Sequence, residues 1–268
     1  GDDPVALSGL IVLLPTRRAC RAVREAFLRA SGGRPTLLPQ LRPIGDVEED
    51  ELLLGFAGDD GTDPATALDL APALSPMRRR LLLSQLILRK QPGTPPDQAL
   101  FLAGELTRLL DQMQIEEVPF EALRNIVPAE LATHWQGVLE FLTILSQHWP
   151  EMLREQGAQD AAVRRSKLLD AQSVAWEAKP PSGPVIAAGS TGTVPAAARL
   201  MRTIGRLPHG CIVLPGLDTA MAEDIWEQVD SSHPQFAMKT LLDRLGVGRN
   251  AVEPWQGANS APTPRVAL

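Results

Sequence analysis

The chain is poor in the residues that build disulfides, metal sites and membrane spans. Only Cys20 and Cys211 occur in 268 residues, far apart and each in apolar company. They exclude a disulfide framework and read as small core residues of a reduced, cytosolic protein. The histidines, His134, His148, His209 and His233, show no metal-ligand spacing, so no metal site is expected. No apolar run reaches the roughly 18–20 residues that cross a bilayer, and no basic-then-apolar leader opens the sequence. A membrane partner is therefore not expected. Lysine is confined to Lys90, Lys167, Lys179 and Lys239. None of these stands in the loop G-x-x-x-x-G-K-[ST] that cradles nucleotide phosphates, and no other stretch fits that pattern.

What is present is ordinary globular material: 44% hydrophobic and 22% charged residues, enough to bury a sizeable core. The formal net charge of −6 argues against a simple basic nucleic-acid module, but the charges are unevenly placed. Asp46, Glu48, Glu49, Asp50 and Glu51 form an acidic run, read either as a solvated loop or as a cation-binding loop without the usual glycine spacing. Arginine clusters at Arg17, Arg18, Arg21 and Arg24, and at Arg78 to Arg80, while Arg164, Arg165 and Lys167 form a third basic group. Arginine suits bidentate phosphate contacts better than lysine does.

The pattern along the chain predicts an α/β protein. Leu10 to Leu14 is a continuous apolar run of the kind buried on both faces of a parallel sheet. Pro15-Thr16 ends it, and Cys20, Val23 and Phe27 then share one face of a helix from Arg17 to Ala30, stopped by Ser31-Gly32-Gly33. Leu37 to Ile44 is a second candidate strand. From about 75 to 178 the reading is nearly all helix. Ser75-Pro76 caps one helix. Leu100, Ala103, Leu106, Leu110 and Met113 stripe another, and Trp135, Val138, Leu142, Leu145 and Trp149 stripe a third that ends before Pro150. A shorter helix covers Ala161 to Trp176. Strands at Val185–Ala188 and Cys211–Leu214 follow a hinge-like Lys179-Pro-Pro-Ser-Gly-Pro, with helices over Val194–Leu207, Ala222–Val229 and Pro234–Leu245. The order β-α, helices, then β-α-β-α implies a parallel sheet flanked by helices and interrupted by an all-helical part. The termini, Gly-Asp-Asp-Pro and a proline-rich end, read as those of a piece of a longer protein.

Three constellations bear on chemistry. After the first strand, Thr16, Arg17, Arg18 and Arg21 fall in the first turns of a helix with no acid before Glu25. Cations there oppose the helix dipole, whereas the free N–H groups attract anions. Phosphate binding is one reading, a solvated basic face the other. Gly189-Ser190-Thr191-Gly192-Thr193 is a glycine turn between strand and helix, whose amides suit a phosphate. Its simplest reading is a tight turn that glycine permits. A nucleophile elbow with Ser190, Asp218 and His233 is a third reading, weakened because Ala188 stands where the elbow has glycine.

These segments also carry a resemblance. Ile11-Val-Leu-Leu-Pro-Thr-Arg-Arg-Ala-Cys-Arg-Ala-Val-Arg-Glu-Ala-Phe27 resembles the strand and helix of motif Ia in UvrD-like helicases. It resembles more closely the AddB subunits of bacterial double-strand break repair helicase–nucleases. Further similar stretches are Arg42-Pro-Ile-Gly-Asp-Val-Glu-Glu-Asp-Glu51, His134-Trp-Gln136 and Ile186-Ala-Ala-Gly-Ser-Thr-Gly-Thr-Val-Pro-Ala196, then Val213-Leu-Pro-Gly-Leu-Asp218 and His233-Pro-Gln235. The resemblance implies a RecA-like helicase domain over residues 1–74 and 180–268, with residues 75–179 as its helical insertion. It places Ala188 and Gly189 where motif II has its two carboxylates, and such a pair cannot hold magnesium or position water. It implies a DNA-repair region that hydrolyses no ATP, is not itself an enzyme and needs no cofactor. DNA backbone contacts fall to Thr16, Arg17, Arg18 and Arg21 and, less directly, to Ser190, Thr191 and Thr193. The implied partners are DNA and an AddA-type motor subunit. The nuclease domain and iron–sulfur cluster of such subunits lie outside this chain, whose two cysteines cannot supply four ligands. The rival expectations are a module that only docks the motor subunit and a serine hydrolase using Ser190.

Overall fold

Among the described residues four short strands pair into one parallel sheet. The computed structural model describes residues 7–32, 35–44, 70–120, 122, 142 and 144–255. Strands β1 (Ile11–Leu14), β2 (Gln40–Pro43), β3 (Val185–Ala188) and β4 (Gly210–Val213) lie in the order β2-β1-β3-β4. Every pairing is parallel, with Ile11 opposite both Gln40 and Val185, and Val185 opposite Gly210. The strand expected from Leu37 begins only at Gln40. The described residues also form α-helices α1 (Arg17–Ala30), α2 (Pro76–Lys90), α3 (Pro96–Ile115), α4 (Trp149–Glu155), α5 (Ala161–Ala178), α6 (Pro195–Arg206), α7 (Glu223–Glu227) and α8 (Phe236–Leu245). None of the described helices is long and apolar enough to cross a membrane.

Alternation along the strands sorts the two faces. Leu13, Val185 and Ala187 point into a core shared with Leu168, Leu169 and Trp176 of α5, Leu200 and Met201 of α6, and Leu241 of α8. Val12 and Leu14 point the other way, onto Cys20 and Val23 of α1. Both faces of β1 are therefore covered, as its unbroken apolar run requires.

A second core lies in the helices between β2 and β3. Leu83, Leu86 and Ile87 of α2, Ala103, Leu106 and Leu110 of α3, and Leu145, Trp149 and Met152 pack together. The leucine and tryptophan stripes do face each other, with two corrections. Leu100 is on the exposed side of α3, and Ala99 takes the buried position. The third helix does not stop before Pro150. A π-turn over Ile144–His148 leads directly into α4, where Pro150 occupies the first turn and removes an N–H that has no helical partner there. Trp135, Val138 and His134 lie outside the described residues, as does the acidic run Asp46–Glu51. The 75–179 span thus holds two packing units, because α5 buries its apolar side in the sheet core while α2, α3 and α4 form their own.

The two units meet at the first residue before α5. The Asp160 carboxylate accepts from Trp149 Nε1 at 2.9 Å and Gln114 Nε2 at 2.5 Å. Arg79 Nε lies 2.8 Å from its other oxygen, an ion pair rather than an aligned hydrogen bond. Arg164, also buried, donates to the carbonyls of Leu70 and Ala71 at 2.8 and 2.6 Å and straps the chain entering α2 onto α5. Two of the basic groups noted in the sequence are thereby partly consumed in structure: Arg79 and Arg164 are interior residues.

Candidate nucleic-acid interface

The strand order places a switch point between β1 and β3. From β1 the chain moves outward to β2, and it later returns to the other side of β1 as β3. In open α/β sheets ligands settle in the crevice beyond the carboxyl ends of the strands at such a point. Two of the segments singled out in the sequence leave the sheet there: Pro15-Thr16 into α1 and Gly189–Thr193 into α6. They touch, since a Cβ placed on Gly189 would stand 3.6 Å from Cδ of Pro15.

Thr16 is the N-cap of α1. Its Oγ1 accepts from the Ala19 amide at 3.1 Å, which satisfies one of the orphan N–H groups of the first turn. With no acidic residue in that turn, the helix end keeps its positive potential. Arg17 is half-buried, whereas Arg18, Arg21 and Arg24 are exposed. At 100° per residue, Arg17, Arg21 and Arg24 follow one another along one flank of α1, and Arg18 stands on its outward face. Glu25, the acid of this helix, lies 4.0 Å from Arg29 one turn on.

The β3–α6 turn is a more closed object. Gly189 and Gly192 take positive φ, 75° and 57°, a conformation that favours glycine. The Gly189 amide donates to Val213 O at 2.9 Å, and the Gly192 amide donates to Ser190 Oγ at 3.2 Å. Arg244 of α8 donates to the carbonyls of Gly192 and Thr193 at 2.8 and 3.2 Å. Ser190 is buried, Thr191 half-buried and Thr193 exposed. Two of the amides a phosphate would need are thus already engaged, and Arg244 pins the loop from behind. Of the residues expected to contact DNA, Arg18, Arg21 and Thr193 are exposed, while Thr16 and Ser190 serve the turns themselves.

Ala188 is half-buried against the α1 side, and Gly189 is exposed with its left-handed backbone. Neither carries a metal ligand, and among the described residues no group of three His, Cys, Asp or Glu side chains is placed to hold a metal ion. The Ser190, Asp218 and His233 side chains bond locally. Asp218 Oδ1 accepts from the amides of Ala220 and Met221, and His233 Nδ1 accepts from the Gln235 amide. No hydrogen bond links any two of the three among the described residues, so the elbow reading gains no geometry.

No protein-family model matches this chain. No curated protein sequence matches it either.

Residues that sequence reasoning passed over are Arg199, Arg244, Glu117 and Asp170. Arg199 of α6 is held by two carboxylates, Glu117 after α3 and Asp170 in α5. Those hydrogen bonds raise the Arg199 pKa and hold the Glu117 carboxyl below its usual range. One signal was legible: Ile115-Glu-Glu-Val-Pro119 ends a helix without glycine. The reading of Cys211 as a core residue also needs adjustment. Cys20 is buried, but Cys211 is only half-buried on β4.

Proposed function

We propose that this region binds the phosphate backbone of DNA without hydrolysing nucleotide, as a RecA-like, helicase-derived part of a double-strand break repair helicase–nuclease subunit. The observation carrying the reading is the exposure of Arg18, Arg21 and Arg24 on α1, the helix that starts from the switch-point end of the sheet. The resemblance of residues 11–27 to motif Ia of AddB-type subunits supports the same surface. In this reading the helices between β2 and β3 are the insertion of the helicase domain, and the motor subunit is a second partner. The chain works inside the cell, and the Gly189 turn is a relic of the nucleotide site.

The contacts are to phosphate rather than to bases, since arginine on a helix flank gives position and charge. Three exposed arginines neutralising three phosphates of single-stranded DNA give a log–log salt slope near −2.1. Raising salt from 50 to 200 mM should therefore weaken binding by roughly 20-fold. Replacing Arg18, Arg21 and Arg24 together with alanine should flatten that slope to near zero in a fluorescence-anisotropy titration, while circular dichroism stays unchanged. If the wild-type chain binds no DNA at any salt, or the triple variant keeps the full slope, α1 is not the interface.

One observation favours a second reading, a module that only docks a partner protein. Ile186 and Ala188 of β3 and Cys211 and Val213 of β4 are apolar, share the α1 side of the sheet and are half-exposed. Parallel sheets are ordinarily covered on both faces. Alkylation of Cys211 reports on that face. Protection of Cys211 on adding the motor subunit, with no DNA binding by this chain, would favour docking alone.

A further inference from the structure

Three described helices end in the same six-residue geometry, and one of them does so with the wrong residue. At the end of α4, Gly157 N donates to Arg154 O and Ala158 N to Leu153 O. At the end of α8, Gly246 N donates to Asp243 O and Val247 N to Leu242 O. Both are paired closures around a residue of positive φ, and both use glycine there, at 55° and 70°. At the end of α3 the same pair of bonds forms, Val118 N to Met113 O at 2.8 Å and Glu117 N to Gln114 O at 3.4 Å. The left-handed residue is now Glu117, φ 55°, which is the one non-glycine of positive φ among the described residues. Glutamate there is unfavourable twice over. Its Cβ disfavours the left-handed backbone, and its charge meets the negative end of the helix dipole.

What the carboxylate gains is a bidentate grip across the molecule. Arg199 Nη1 and Nη2 donate to its two oxygens at 2.8 and 2.6 Å. The same guanidinium donates through Nε and Nη2 to Asp170 of α5 at 2.7 and 2.9 Å. One cation thus joins the end of α3, which belongs to the helical core, to α5 and α6, which belong to the sheet core. A further positive charge stands near: Arg244, the residue that pins the Gly192 and Thr193 carbonyls, also acts on Glu117.

The two ionic contacts between the cores differ in kind. At Asp160 the side chains of the pair are 6% and 1% exposed, sealed among Trp149 and Gln114. At Arg199 the three side chains are 43%, 36% and 43% exposed, open to water and salt. Ten residues of α5 separate the sites, about 15 Å of helix. Beside the open one, α3 and α5 do not close on each other. A cleft of about 380 Å³ lies between them, walled by Met113, Val118 and Pro119 on one side and Val163 and Lys167 on the other. The cleft reaches the open contact, being lined by Glu117 and Asp170 themselves, and runs from there along α5 towards Gln114.

We propose that Glu117, Arg199 and Asp170 form a releasable ionic clasp between the helical and sheet units, with the buried Asp160 cluster as the fixed pivot. Released, the α3 end moves off α5, the cleft widens, and Arg244 beside the β3–α6 turn loses its acidic neighbour. The clasp explains why a glutamate occupies a glycine position: the local conformation is a cost accepted for a contact between units.

Hydrogen exchange of the full chain, read by mass spectrometry at 50 mM and 1 M salt, tests this. In the wild-type chain, exchange over residues 113–120 and 163–171 should rise several-fold with salt while β1 and β3 stay protected. Glu117→Gln should show the raised exchange already at 50 mM and respond little to salt. Glu117→Gly removes the carboxylate but relieves the backbone, so it should open the same segments with an unfolding midpoint at or above that of the wild type. Unchanged exchange in Glu117→Gln would overturn the clasp. A lowered midpoint in Glu117→Gly with exchange rising everywhere would make Glu117 a structural cap, which overturns it equally.

Discussion

Asp160→Asn should cost about 3–5 kcal/mol of stability, the range for breaking a buried ion pair by removing one partner. At roughly 2–4 °C per kcal/mol for chains of this size, the unfolding midpoint falls by roughly 6–20 °C. The size of the loss comes from what stays behind. Arg79 keeps its charge in a site where its side chain is 6% exposed, with only the more exposed Asp111 left to balance it. An asparagine can still accept from Trp149 Nε1 and Gln114 Nε2 through one oxygen, but its amide then faces the Arg79 guanidinium. Burial makes each mismatched polar group costly. The same logic predicts that Arg79→Met combined with Asp160→Asn loses clearly less than the sum of the two single changes. Urea unfolding of the four proteins measures this cycle. An Asp160→Asn midpoint equal to that of the wild type would show that the carboxylate does not join the two units. The half-exposed Glu117–Arg199 pair should contribute at most about 1 kcal/mol, because solvent screens it.

How much of this was readable from the residues differs by element. The run Leu10–Leu14 identified a strand covered on both faces, and Cys20, Val23 and Phe27 identified the inner face of α1, because period and apolarity are local properties. The parallel class followed from the alternation of strands and helices. The second core was half legible: Leu106, Leu110, Leu145 and Trp149 do pack together. Helix boundaries near Pro150 were misread because proline is as compatible with a first turn as with an end. Arginine defeated the reading most clearly. Arg79 and Arg164 resemble Arg18 and Arg21 in sequence, yet they are interior, each held by a partner tens of residues away. Asp160 and Arg199 carried no signal of their own, since their meaning lies in who meets them in space, and Glu117 showed only as a helix end without glycine. On α1, Arg18 and Arg21 are exposed. Thr16 and Ser190 are occupied by the turns they form, which a list of polar residues does not foresee.

The largest steric effect belongs to a glycine that no motif marked. Gly210 opens β4 immediately after the α6–β4 turn, where its amide donates to Leu207 O at 3.1 Å. A Cβ at this position would lie 1.7 Å from Ile204 O and 2.9 Å from Ile204 C, both backbone atoms of the preceding helix. No rotamer relieves such a clash, so either the end of α6 or the start of β4 must move. That shift propagates into the register of β4 on β3, since Gly210 pairs with Val185 at the base of the core. Overpacking of a core typically costs about 1–3 kcal/mol when side chains can adjust. Gly210→Ala, which meets backbone instead, should cost about 3 kcal/mol or more and lower the midpoint by about 10 °C. Gly205→Ala is the control. Five residues earlier, inside α6, the added Cβ meets only the flexible tip of Ile212 at 3.1 Å. Replacing a helical glycine by alanine gains up to about 1 kcal/mol, so Gly205→Ala should be neutral or stabilising. Thermal melts of the two single variants decide the matter. Equal midpoints would mean that the approach of α6 to β4 is looser than the structure shows. Opposite shifts would establish that the close approach of Gly210 to the end of α6 helps to set how β4 is seated beside β3, and with it the edge on which Cys211 and Val213 are displayed.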